Sequence, residues 1–594
     1  MIIDALIGPF SAGFQVLIKD IRVVFLVCMY SVFPFGLLAI LLLYRLKVTQ
    51  NLAALLSGGL CGGILLDILV SFPVIALAPQ KHVAVLLTIT IISMVVIAVA
   101  LWHTCNFSPK ITVHFYGLIV LSLAILICKL AFIYSLDLPQ YSDSIEHYTI
   151  IQDLASKDVT PRSYYNLRSF PDVYYHYGYH VILAKLDLLT HANLANLMLI
   201  YGQLALAISA IGLYFPIYLL TRNQMAGFLG VLTAGFVLVM PGYAINWGKY
   251  PAIIAFATFP FVLGLIIAAN QRKWQKIGVG YYATIVINLL FCFLVHTRMA
   301  VIFIIVFIVL IVSTKIQMKP WKLSIACLAM LIPLCFLMIT KNTFVNSLFE
   351  IYWRDGITPL ILALLSCVIC IIQKPRLAMP VLLFLILFSL ATTITLPSRF
   401  ENRGSLVDRP FFQIGAFLPI AMIIGVGFSS LLEIPGLITR PMLQCGGFGI
   451  ILTSLLIGAP WDILLYPSEC CRLSTDEDLY AYHWIQSNSS LRDKFLIAAF
   501  STPYALFESD GGGWIENITN RPVAKVASDY NFGSKNNKNS LCSQGVQFIY
   551  VGSHSYSFDH DLLSQFPYWY KSEFGTQGVK IYRILCEISS NSGT

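Results

Sequence analysis

Runs of about 20 apolar residues recur from Arg22 to about Tyr466, and they constrain this chain more than any other feature. Each is long enough to cross roughly 30 Å of hydrocarbon as a helix. Lipid leaves the backbone only helices or closed barrels, and these runs are too long for barrel strands. Composition agrees. Of the 594 residues, 58% are hydrophobic and 11% charged, with mean hydropathy +0.78, whereas soluble domains carry about a quarter charged residues. The chain reads as a polytopic α-helical membrane protein with about 13–14 transmembrane helices. Spans are predicted near 22–44, 52–76, 82–102, 111–135, 193–220, 224–246 and 250–269. Further spans fall near 277–296, 299–314, 323–340, 358–373, 379–396, 411–432 and 445–465. Pro9 and Gly13 interrupt the first apolar stretch, which reads as an interfacial or re-entrant helix or a span. A basic n-region and a small-residue cleavage site are both missing there, so no removable signal peptide is expected.

The net charge of +9 does not form a stripe of the kind that binds nucleic acid. It sits in clusters between spans: Arg45 and Lys47; Arg272, Lys273 and Lys276; Lys315, Lys319 and Lys322; Lys374 and Arg376. That is the distribution expected of cytoplasmic loops. With residues 136–192 placed outside, alternation puts the three later clusters inside, and the loops with Arg298, Arg354 and 397–410 outside. The domains expected are N-terminal transmembrane helices over 1–135, an exocytoplasmic loop with juxtamembrane amphipathic helices over 136–192, transmembrane helices over 193–466, and an exocytoplasmic α/β domain over 467–594. In the last, "STDEDLYAYHWIQSNSS" predicts a helix capped by Ser474 or Thr475, and "KFLIAAF", "RPVAKVA", "VQFIYVG" and "VKIYRIL" predict strands. Cys470, Cys471, Cys542 and Cys586 lie in this tail, where an oxidising compartment permits disulfides of unread connectivity.

The polar stretch "YSDSIEHY" opens the external segment. In a helix, Asp143, Glu146 and His147 stand at i, i+3 and i+4 and share a face. A carboxylate there can take a proton from an incoming hydroxyl, with Glu146 or His147 tuning or relaying it. The three can also hold a divalent cation (Mg or Mn) that binds a phosphate leaving group. Equally, Asp143 suits a helix N-terminus. Further on, His176 and His180 are spaced i, i+4 within a Tyr-rich interfacial belt that includes Tyr164, Tyr165 and Tyr174. Lys249 in "NWGKYP", His296 and Arg298 in "VHTRMA", and Arg399, Arg403, Asp408 and Arg409 in "LPSRFENRGSLVDRPFF" complete the set on the same predicted face. Each reads as lipid-headgroup contact or as phosphate recognition, for which Arg is suited. A base and several cations are what a transferase needs when its donor is a lipid phosphate. The interior of the spans carries few charges, which speaks against transport, although a transporter or flippase, or a polysaccharide polymerase or ligase, remains the alternative. "DGGGW", Asp510 to Trp514, is a turn or an aromatic loop able to stack on carbohydrate.

An acidic motif opening the first large external loop, followed by an amphipathic helix, resembles the GT-C superfamily of polyprenyl-phosphate-sugar-dependent glycosyltransferases. More narrowly, the chain is similar to an uncharacterised bacterial family of polytopic membrane proteins with an exocytoplasmic C-terminal domain. The matching elements are Asp143, His147 and Tyr148; Gly178 and His180; Trp247, Gly248 and Pro251; Asp408 and Arg409; and "DEDLYAYHWIQSNS", "GGGWIENITNRPV" and "VKIYRIL" in the tail. The chain departs from the superfamily pattern in having four or five spans before the loop, and no adjacent acidic pair. The resemblance implies Asp143 as general base, a polyprenyl-phosphate sugar donor, and a glycan, lipid or protein acceptor. It also implies an integral plasma (inner) membrane location with the active face exocytoplasmic.

Overall fold

The structure, a computed structural model, describes residues 2–156, 162–163, 175–271, 286, 294–340, 342–353, 357–395, 405–433, 441–457, 459–501 and 506–586. It divides into two compact units. The first comprises Met1–Ser135, Ile151–Ile245 and Lys249–Tyr466; the second comprises Leu136–Ile150, Asn246–Gly248 and Pro467–Thr594. The start of the segment 136–192 and the three-residue turn Asn246–Gly248 thus group with the tail.

The first unit is a helical bundle with eight helices long and apolar enough to span a bilayer among the described residues. These are Ile21–Arg45, Leu52–Leu77, Gln80–Thr104, Val113–Phe132, Leu194–Thr221, Tyr250–Gln271, Pro320–Ile339 and Arg409–Leu432. Shorter apolar helices cover Gln224–Val237, Met299–Lys315, Thr358–Gln373 and Pro375–Ala391, and Pro441–Ile457 and Trp461–Leu465 are also helical. Most of the predicted span at 277–296, the Arg272–Lys276 cluster, and Tyr164, Tyr165 and Tyr174 lie outside the described residues. Residues 2–19 form one helix through Pro9.

Burial ranks the helices. In Tyr250–Gln271, 94% of the apolar window is buried, against 22% in Gln80–Thr104. The latter leaves Val85, Ile89, Ile92, Val96 and Val99 exposed, as a lipid-facing helix should. The "GGLCGG" stretch explains one close helix pair: a Cβ on Gly63 would lie 2.6 Å from the backbone nitrogen of Gly36, so only glycine admits this approach.

One sequence expectation is corrected. The span predicted at 224–246 leaves the helix at Leu238, after a π-helical turn over Thr233–Val237. Pro241 and Gly242, two poor helix formers, follow at once, and Gly242–Trp247 is a 3₁₀ helix. The segment 178–190, expected within an exocytoplasmic loop that carries juxtamembrane amphipathic helices, is the helix Gly178–Thr190. It is sealed into the bundle, with every residue from Gly178 to Leu186 buried, Lys185 included.

The second unit is built on a mixed sheet of β1 (Lys494–Ser501), β2 (Leu506–Glu508), β3 (Val523–Ala527), β4 (Val546–Val551), β5 (Tyr570–Gly575) and β6 (Lys580–Ile584). Its order is β2-β1-β4-β6-β5, and β3 also pairs with β1. β1 runs parallel to β3 and β4, and the remaining pairings are antiparallel. The core gathers Leu496, Ala498, Ile549, Val551, Leu541 and Tyr582. Helix Asp476–Asn488 opens with a capping box of Thr475 and Asp478, and a disulfide joins Cys542 to Cys586.

Candidate functional site

The structure divides the sequence-predicted residues into two groups, one in each unit. Asp143, Glu146 and His147 lie on helix Ser142–Ser156, so the predicted i, i+3, i+4 face exists. Tyr141 precedes this helix at φ +69°, which puts Asp143 in the first turn and not at the cap position. Asp143 and Glu146 are half-buried, and His147 is buried.

The tail domain holds this helix within the second unit. The Tyr141 backbone N–H donates to Cys471 O at 3.0 Å, and Gln140 Nε2 donates to Ser468 O at 3.4 Å. Thr149 and Asn517 exchange side-chain hydrogen bonds at 3.1–3.2 Å. Tyr148 meets Trp514 edge-on at 5.5 Å. Trp514 is fully buried by this packing, so the "DGGGW" loop is a packing element and presents no ring for carbohydrate. Asp510 within it accepts from Gly512 N, Gly552 N and the Ser557 hydroxyl. Burial, and then the neighbouring Asp478, push its carboxyl up to about 7 against those hydrogen bonds.

The turn Asn246–Gly248 completes the setting. Asn246 Oδ1 accepts from Ser468 N at 2.8 Å. Gly248, at φ +61°, approaches so closely that its Cβ, were there one, would lie 3.2 Å from Asp143 Cβ. Two motifs separated by about a hundred residues, the acidic one and the Trp–Gly one, thus meet. Among the described residues no cluster of three His, Cys, Asp or Glu is placed to hold a metal ion.

In the first unit the rings of His176 and His296 lie 4.4 Å apart. His176 also stacks on Tyr175 at 4.2 Å, and His296 on Phe411 at 4.5 Å. Arg298 donates its backbone N–H to His296 Nδ1 at 3.3 Å and its guanidinium pairs with Asp408 at 2.9 Å. Asp408 in turn caps the following helix by accepting from Phe411 N. Desolvation first, and then the charges of Arg298 and Lys249, hold the half-buried His176 imidazole below its usual pKa. Arg409 faces Glu350 at 3.5 Å. His180 is fully buried among Tyr175, Tyr177 and Tyr179 and does not share a helical face with His176, which precedes the helix. Arg399 and Arg403 lie outside the described residues. His176, Lys249, His296, Arg298 and Asp408 thus come together from distant segments.

Sequence reasoning passed over a buried ion pair. Lys185 pairs with Asp67, both side chains fully buried. Lys185 also donates to Tyr30 O at 2.9 Å, a carbonyl in the π-helical turn Cys28–Val32, and lies 5.0 Å from the Phe35 ring centroid. Ser31 and Ser71 donate to Asp67. The span interior is therefore less bare of charge than its composition suggests. A lone Asp inside "GILLDILV" was the available signal. Lys129 is a second buried lysine. Its Nζ lies against Gly242, 3.2 Å from where a Cβ would stand, and it has no acidic partner among the described residues.

No protein-family model matches the chain, and no curated protein does. Among solved structures it is similar to the single-particle cryo-EM structure of arabinofuranosyltransferase AftD from Mycobacteria, at 11% identity and a TM-score of 0.36, over 80% of this chain. The match spans 40% of the AftD chain, and a likeness this shallow carries no argument about chemistry.

Proposed function

We propose that this chain is a GT-C-type membrane glycosyltransferase, moving a sugar from a polyprenyl-phosphate-linked donor to an exocytoplasmic glycan, lipid or protein acceptor. The observation that supports the reading is the grouping of Lys249 and Arg298 about the His176–His296 pair. Cations so placed suit a departing phosphate. Asp143, by the resemblance, is the general base. It takes the proton of the acceptor hydroxyl as that oxygen bonds to the anomeric carbon. The bond from that carbon to the phosphate oxygen breaks, and the phosphate leaves with the electron pair. Glu146 and His147 support the base, and Arg409 lies one residue beyond Asp408.

The test is transfer from a prenyl-phosphate sugar in membranes bearing Asp143→Asn. Transfer should vanish while thermal unfolding stays at the wild-type value. Full activity in that variant would remove Asp143 from the mechanism.

A second reading, a transporter or flippase for a lipid-linked substrate, is favoured by one observation: the buried Asp67–Lys185 pair within the spans. Intramembrane ionisable pairs often mark ion or substrate pathways. Counterflow of a lipid-linked sugar in proteoliposomes, lost in Asp67→Asn, would rank this reading first.

A further inference from the structure

The segment Ser468–Cys471 binds both chain stretches that flank Asp143 in the second unit. Ser468 bonds Gln140 through its carbonyl and Asn246 through its N–H, and the Cys471 carbonyl accepts from Tyr141 N. Inside this segment, the 3₁₀ turn Glu469–Cys471 brings the Sγ atoms of Cys470 and Cys471 to 2.7 Å. Cys470 is exposed and Cys471 buried; Ser468 Oγ lies 3.1 Å from Cys470 Sγ.

We propose that Cys470 and Cys471 are a covalent modification site, a vicinal dithiol that closes reversibly to a ring disulfide by exchange with a small-molecule or protein disulfide. Exposed Cys470 attacks one sulfur of the oxidant, forming a mixed disulfide and releasing one thiol. Cys471 then attacks the Cys470 sulfur, closes the ring and releases the second thiol. Two protein thiols and one disulfide become one ring disulfide and two thiols, so both electrons and both protons end on the former oxidant. Adjacent α-carbons stand about 3.8 Å apart, short of the roughly 4.4–6.8 Å that relaxed disulfides prefer. The ring is therefore strained and readily reopened. Cys542–Cys586, with α-carbons 5.8 Å apart, is the unstrained counterpart in the same unit. Closing the ring reshapes the turn whose carbonyl anchors Tyr141, so the modification is felt where the Asp143 helix begins. This inference is independent of the glycosyl-transfer reading.

The test uses the full-length protein in nanodiscs, treated with oxidised glutathione, alkylated with iodoacetamide and digested. The expected Cys470–Cys471 peptide is two hydrogens lighter and unalkylated, and becomes doubly alkylated after mild phosphine reduction that leaves Cys542–Cys586 intact. Amide exchange in the peptide bearing Tyr141 should then differ about tenfold between the two states, as for the loss of one hydrogen bond. A Cys470→Ser, Cys471→Ser double variant should stay at the reduced value under both treatments. A persistent glutathione adduct, a dimer through Cys470, double alkylation after oxidation, or equal exchange in both states would each overturn the proposal.

Discussion

Gly248 sets its α-carbon so close to Ser144 that a Cβ would lie 2.7 Å from the Ser144 hydroxyl and 3.0 Å from its backbone nitrogen. The hydroxyl is itself committed to Gln140 O, and the nitrogen belongs to the first turn of the Asp143 helix, so neither can yield cheaply. At φ +61° an L side chain is also strained in its own right. Gly248→Ala is expected to cost about 2 kcal/mol or more and to shift the helix start. Thermal unfolding and prenyl-phosphate-dependent transfer read the two effects. Unchanged values in both would mean that the turn adapts and does not position Asp143.

The buried Asp67–Lys185 pair predicts an asymmetric pattern of stability. Asp67→Asn leaves the Lys185 ammonium in an apolar bundle with a carbonyl and a ring for company, at a cost of about 3–5 kcal/mol. Adding Lys185→Met removes the orphaned charge and should recover most of that loss. Lys129→Met, which deletes a buried lysine that has no acidic partner among the described residues, should raise the unfolding temperature. Melting curves in one detergent rank all four proteins, and a double variant no more stable than Asp67→Asn alone would mean the pair is not coupled.

How much of this was legible depends on where the information lies. β1, β3, β4 and β6 were readable because their apolar residues are consecutive or alternating in the chain. β2 ("LFE") and β5 ("YKSEFG") were missed because they are short or polar and leave most side chains exposed. The burial of helix Gly178–Thr190 was not legible locally, because the residue that makes burial of Lys185 tolerable is Asp67, 118 positions away. The nearness of His176 to His296 is long-range in the same way. The acidic helix was readable from local spacing alone; its attachment to the tail, through Ser468, Cys471 and Asn517, was not.

Asp510 gives the second unit a pH dependence of defined sign. Its carboxyl titrates at about 7 in the folded protein, against an ordinary value of 3.8. Between those values the native state holds a proton that the unfolded chain has released, so stability falls as pH rises and levels off above about 7. Amide exchange of β1 and β4, corrected for intrinsic rates, should show protection declining over that window. Asp510→Asn abolishes the slope, and also weakens the fold by setting an amide donor against the N–H of Gly552. A wild-type slope of opposite sign would place the titration elsewhere.

His176 gives the first unit the opposite sign. Desolvation and the charges of Arg298 and Lys249 depress its imidazole, so below the usual value near 6.5 the unfolded chain binds a proton that the native state refuses. Stability then falls on acidification and is fully present above that value. Arg298→Ala deletes one of the two cations, and its partner Asp408 is left half-exposed, so the cost in stability is below about 1 kcal/mol. The pKa of His176 should nevertheless move up in that variant. The rate of diethylpyrocarbonate labelling at His176, which requires the neutral ring, reports this directly. In the wild type labelling should persist well below pH 6, and in Arg298→Ala its midpoint should shift toward the ordinary value. If Arg298→Ala also weakens binding of a prenyl phosphate, measured separately by thermal shift, the same guanidinium serves both the imidazole field and the phosphate. A midpoint that ignores the substitution would detach Arg298 from His176 and with it the cationic set on which the proposed function rests.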